Sequence, residues 1–267
     1  MPRQLRVGAR APSLVPLEIR ARLERGEPSA NHMEQIAIDM GALLETAFPS
    51  LANEADRLRS GGLVTKMRAG GQLLFEALGQ EAWVVARKSE SDSVRGWGAM
   101  AIGWAPALDL DDRLQLMRPY ADDVHFAVRE WAWLSLRPRI AMEAETAIRR
   151  LHPWTSEESE RLRRFATEAS RPRGVWSQHI AILKAEPEMG LPLLLPLRSD
   201  PSRYVQDSVA NWLNDASKSR PEWVEDICGA WLADSHTPAT ERICRRGMRS
   251  ISRVARSAAP GSSTPVP

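Results

Sequence analysis

The sequence predicts an all-α protein, and three features predict it. Apolar residues recur at helical spacing along the chain, no segment alternates cleanly with period 2, and prolines return one helix pair apart. The clearest helix spans 204–217. Val205, Ser208, Val209, Trp212, Leu213 and Ala216 follow i, i+3, i+4, i+7, i+8 and i+11, one face of an amphipathic helix. Asp200-Pro201-Ser202 starts it, and Ser219-Arg220-Pro221 ends it, because the residue before a proline avoids helical angles.

The same periodicity, taken from the N-terminus, places helices over 14–25, 33–47, 71–88, 92–104, 110–119, 124–136, 143–151, 156–169, 176–184 and 188–197. Beyond 204–217 it adds 222–233 and 238–254. Gly61-Gly62 and Gly70-Gly71 read as turns. Pro106, Pro138 and Pro172 each close a similar passage, at spacings of 32 and 34 residues. Paired helices at that period suggest a right-handed α-solenoid of HEAT-like repeats with a concave basic face, each pair burying its apolar side against its neighbours. A plain helical bundle is the alternative. One repeat domain over 1–255 is expected, followed by a disordered tail at 256–267, where Ser, Ala, Pro and Gly cannot bury apolar area.

Composition narrows the functional classes. The chain has 267 residues, 43% hydrophobic and 26% charged, an ordinary globular balance that excludes collagen-like and low-complexity chains. Two cysteines, Cys228 and Cys244, form neither a disulfide framework nor a zinc spacing, and the five histidines are scattered, so no metal and no cofactor are expected. No stretch approaches the roughly 20 apolar residues of a membrane helix, and the basic N-terminus lacks a signal-peptide core. A mature cytoplasmic protein, monomeric and without a membrane partner, is expected. No G-x-S-x-G, P-loop or G-x-G-x-x-G occurs.

The formal charge of +2 conceals segregation. Residues 1–25, 149–173 and 240–267 are basic, while 26–148 and 174–239 are acidic. Three basic blocks make a stripe for a phosphate backbone if the fold unites them; solvated helix faces with local ion pairs such as Arg164–Glu168 are the alternative.

The most distinctive text is Arg163-Arg164-Phe165-Ala166-Thr167-Glu168-Ala169-Ser170-Arg171-Pro172-Arg173-Gly174-Val175-Trp176. One repeat later stands Ser208-Val209-Ala210-Asn211-Trp212-Leu213-Asn214-Asp215-Ala216-Ser217-Lys218, and upstream Phe126-Ala127-Val128-Arg129-Glu130-Trp131-Ala132. Over roughly 122–225 these runs resemble the DNA alkylation-repair glycosylases built on HEAT-like repeats, and within them the AlkC branch. The Trp-x-x-x-Asp arrangement of the AlkD branch occurs nowhere in the chain. The resemblance implies a monofunctional glycosylase, a hydrolase that cleaves the N-glycosidic bond of cationic N-alkylated purines of the 3-methyladenine type in double-stranded DNA, without extruding the base. It implies Glu168, Asp215, Trp176 and Glu130 as catalytic residues, with Arg129, Arg164, Arg171, Arg173, Asn211 and Lys218 beside the DNA. Some relatives carry a further C-terminal immunoglobulin-like domain, and contacts from such a domain are not expected here.

These residue types suit that chemistry. An alkylated purine already carries positive charge, so the barrier left is charge developing on the deoxyribose. A carboxylate near C1′ stabilises that charge and orients water. An indole face beside the cation adds roughly 1–2 kcal/mol, and arginines hold phosphates. Asp215 lies about 80° and Glu168 about 110° from the apolar line of its helix, so each flanks the buried stripe. Each residue also has a plainer use: Glu168 can pair with Arg164 or Arg171, Asp215 with Lys218, and Trp176 can fill a core between repeats. A helical-repeat module that binds unusual DNA structures or a protein partner without catalysis is the rival function.

Overall fold

The computed structural model describes residues 6–174, 176–234 and 236–258, and among these no strand occurs. Packing divides the chain into two compact units, residues 1–136 and 137–267. The first contains α1 (Leu17–Glu24), α2 (His32–Ala37), α3 (Met40–Ala47), a 3-10 run over Pro49–Leu58, α4 (Leu63–Leu78), α5 (Glu81–Arg87), α6 (Asp92–Trp104) and α7 (Leu110–Ala121). Helix α8 (Phe126–Met142) carries the chain from the first unit into the second. There follow α9 (Ala144–Leu151), α10 (Glu160–Ala169), α11 (Ala181–Ala185), α12 (Leu191–Leu194), α13 (Arg203–Ser217), α14 (Pro221–Asp234), α15 (Pro238–Gly247) and α16 (Arg249–Ala258).

In the first unit α6 packs against α4, α5 and α7. The Gly70-Gly71 pair, expected as a turn, lies buried inside α4. A Cβ on Gly70 would stand 2.4 Å from Trp97 Nε1, and one on Gly71 would stand 2.3 Å from Met100 Cβ. The glycines therefore mark a close helix crossing. Gly61-Gly62 is a turn as expected: Gly61 has φ +87°, and Gly62 precedes the first residue of α4.

In the second unit α13 packs against α10, α11, α14, α15 and α16. Val205, Val209, Trp212, Leu213 and Ala216 are buried, so the apolar stripe predicted for this helix is its core face. Ser202 caps its start by accepting the N–H of Tyr204, and Ser159 caps α10 by accepting that of Arg161. Among the described residues no helix is long and apolar enough to cross a membrane.

Several expected helices end differently, each for a local reason. The helix drawn over 33–47 breaks at Ile38, and the Asp39 carboxylate caps a new one by accepting from Gly41 and Ala42. That over 71–88 breaks at Gly79, φ +56°, and that over 238–254 breaks at Met248. Pro138 lies inside α8, which runs six residues past its expected end at 136. Pro192 and Pro196 cut 188–197 into short turns, having no N–H to donate. Of the expected tail, 256–258 belong to α16 and 259–267 lie outside the described residues.

Candidate active site

The second unit brings most of the expected residues together. Glu168 lies in the buried last turn of α10, and Asp215 lies near the end of the adjacent α13. Both carboxylates meet the guanidinium of Arg171, two residues past the end of α10. Its Nη1 donates to Glu168 Oε1 at 2.7 Å, and its Nε donates to Asp215 Oδ2 at 2.8 Å. The acids are more enclosed than positions flanking a stripe suggest: Glu168 is 4% exposed and Asp215 3%.

Hydrogen bonds set the Glu168 orientation. Ser208 Oγ, projecting from α13, donates to Oε2 at 2.7 Å, and Thr167 Oγ1 backs Ser208 at 2.8 Å. Arg164 Nη2 stands 3.7 Å from Oε2, with its guanidinium 4.6 Å from the centre of the Tyr204 ring. Burial alone drives a carboxyl upward in pKa, but Arg164, Arg171 and the Ser208 hydroxyl outweigh it and hold Glu168 below the usual glutamate range. The Arg171 cation is stabilised in turn: the two carboxylates overcome its own burial and raise its pKa.

Asp215 Oδ1 accepts from Lys218 Nζ at 3.3 Å, and its backbone carbonyl accepts from Arg173 Nε at 3.2 Å. Arg173 also donates to Ser219 Oγ at 2.7 Å. Asn211 Oδ1 accepts from Arg249 Nη2 at 2.9 Å. Glu130 and Arg129 belong to the first unit, where Glu130 Oε2 accepts the indole N–H of Trp133 at 2.8 Å and Arg129 donates to the carbonyls of Asp123 and Val124.

Trp176 is 54% exposed, which removes its reading as a core residue, and it stands on a loop instead of opening the helix expected over 176–184. Its φ of +59° lies in the left-handed region, a costly place for a tryptophan. Arg137 helps hold this loop. It is 0% exposed, and it donates to the carbonyls of Ala169, Arg171 and Gln178. Burial and the Arg171 charge lower its pKa to about 10. A Cβ on Gly174 would stand 2.6 Å from Arg137 Nε, so the loop passes this arginine only with glycine there. Sequence reasoning missed Arg137, because an arginine bonded only to carbonyls has no partner residue type to betray it. It also missed Ser208, although that residue shares the Asp215 flank of its helix.

No family model matches the chain. An uncharacterized protein of Bacillus subtilis (strain 168), YhaZ, is 38% identical over 76 residues, 28% of this chain; the match covers 21% of that relative. Among solved structures, Pseudomonas fluorescens alkylpurine DNA glycosylase AlkC, bound to DNA containing an abasic site analog, matches 92% of this chain and 66% of its own, with TM-score 0.61 and 22% identity. AlkD2 from Streptococcus mutans matches 75% of this chain and 95% of its own, with TM-score 0.57 and 20% identity. A third structure, smu.31 from Streptococcus mutans UA159, matches with TM-score 0.55 and 22% identity, over 68% of this chain and 90% of its own. The fold is therefore the AlkC/AlkD-like HEAT-like repeat fold.

Proposed function

We propose that this protein hydrolyses the N-glycosidic bond of cationic N-alkylated purines in double-stranded DNA. The observation that carries the reading is the meeting of Glu168 and Asp215, from two adjacent helices, on the Arg171 guanidinium. Two carboxylates side by side would ordinarily share a proton. The guanidinium between them removes that need, and Glu168 is held below the usual glutamate range. Anions of fixed orientation stabilise a sugar that turns cationic as the purine departs, and either can orient the attacking water. The alkylated base needs little protonation, because it leaves as a neutral purine.

Lys218, the most exposed member of the ion-paired cluster, and Arg173 adjoin Asp215 and suit phosphates on either side of the lesion. The exposed Trp176 indole offers a face to the sugar or the cationic base, and the strained backbone beneath it is the kind retained where geometry serves function. Glu130 is a further candidate carboxylate, carried by the first unit, and the glycosidic bond is cleaved without extrusion of the base from the duplex. The AlkC and AlkD2 likenesses support this reading through the fold they share.

One observation favours a binding module without catalysis: both carboxylates are almost wholly buried and already matched by cations. Release of 3-methyladenine from methylated duplex DNA separates the two. Glu168→Gln and Asp215→Asn should each slow single-turnover release by about 10²–10³-fold, the scale of removing one preorganised electrostatic contact. Wild-type rates in both variants would overturn the site. A wild-type protein that binds duplex but releases no base would favour the binding module.

A further inference from the structure

The corner where α15 turns into α16 gathers three arginines around one carboxylate. Arg242 Nη2 and Arg246 Nε lie 2.8 and 3.0 Å from the same Asp207 Oδ1. Arg249 Nη2 takes a neutral acceptor, Asn211 Oδ1, one turn further along α13, and its Nη1 donates to the Arg246 carbonyl at 2.7 Å. The Arg246 Nε–H is buried and finds no hydrogen-bond acceptor in line, despite the closeness of Asp207. Two guanidinium groups thus share one carboxylate oxygen, while the third, Arg249, is hydrogen-bonded to neutral acceptors alone.

The crowding has an electrostatic consequence. Burial, then the charges of Arg246 and Arg171, lower the pKa of Arg249 against the pull of Asp215 and Asp207. Neighbouring positive charge left uncompensated at close range is relieved by an anion. Guanidinium forks match the paired oxygens of a phosphate ester.

We propose that Arg242, Arg246 and Arg249 form a phosphate-binding corner that takes a backbone phosphodiester of a nucleic-acid strand. Arg249 reaches Asn211, one turn before Asp215 on α13, so a strand held here runs toward the carboxylate pair. That direction rests on the reading of the pair as a DNA site; the phosphate corner itself does not.

The test is anisotropy titration of the full chain with an undamaged duplex, in wild type, in the double variant Arg246→Gln/Arg249→Gln and in Arg245→Gln. The last removes a charge from α15 about 100° around the helix from Arg246. The double variant should bind more weakly, and its plot of log affinity against log salt should be shallower by about 1.8, some 0.9 for each lost phosphate contact. Arg245→Gln should keep the wild-type slope. Equal slopes in wild type and double variant, both folded by melting temperature, would overturn the corner. A parallel arm adds inorganic phosphate. If phosphate raises the wild-type melting temperature but not that of the double variant, while duplex binding is unchanged, the anion is a free phosphate and the nucleic-acid assignment falls. Base release is measured apart: a chain that releases no purine yet shows the altered slope sinks the glycosylase reading and keeps this one.

Discussion

Glu168 holds a negative charge almost out of reach of water because two arginines and a hydroxyl face it. The pH consequence follows from the direction of its shift. A carboxylate whose folded pKa lies below its unfolded value, about 4.3 for glutamate, contributes stability that is complete above that value and is lost as pH falls through the folded one. Base release that depends on ionised Glu168 should fail over the same lowered range. Ser208→Ala removes one of the hydrogen bonds that lower this pKa, so the acid limb of the single-turnover rate should move to higher pH while the rate near neutrality changes little. The pH profile of 3-methyladenine release checks this, and an acid limb that does not move would show that the hydroxyl leaves the Glu168 titration unaffected.

At the scale of helices, the site exists because α10 and α13 lie side by side and each spends its apolar stripe on packing. Their flanks then meet, and an acid on one can be bonded by a serine on the other. Close packing makes similar demands in the first unit, where Gly71 lets α4 reach α6. Its missing Cβ would meet not only a side chain but backbone: the Met100 carbonyl carbon at 2.7 Å and the Ala101 nitrogen at 2.8 Å. Backbone cannot swing aside, so Gly71→Ala should force the helices apart and cost about 1–3 kcal/mol, the usual range for overpacking. Denaturant melts of the variant measure it. Gly62→Ala, where a Cβ meets nothing within 4 Å, should cost only the N-cap preference for glycine, about 0.5–1 kcal/mol, in the same melts.

Over the molecule as a whole, a formal charge of +2 on 267 residues offers a polyanion little long-range attraction. The proposed duplex binding would then come from local clusters, the proposed Arg246–Arg249 corner and the cations beside Asp215. Arg171 adds little to it, because both of its edges are committed to carboxylates. The wild-type slope of log affinity against log salt should therefore be modest, about −3 to −5 for three to five phosphate contacts. A slope near zero would remove the phosphate contacts altogether. The two compact units each have their own core, built around α6 in one and α13 in the other.

Helical periodicity made the class and most helices legible: 92–104 is α6 residue for residue, and the stripe of 204–217 is the buried face of α13. The family resemblance pointed to Glu168 and Asp215, and the wheel put both beside, not on, those stripes. What periodicity does not carry is contact between segments distant in the chain. Gly70-Gly71 looks like a turn until α6 is seen pressed against it, and Arg171 looks like a phosphate ligand until both acids are seen on it. Arg137 is silent in sequence, because its partners are backbone carbonyls, which every residue possesses. The chain alone determined the helical class, where most helices lie and which of their faces are apolar, since these depend mainly on neighbours within a few positions. Only the tertiary structure decided which charges are buried against which, because that depends on groups brought together from more than 30 residues apart.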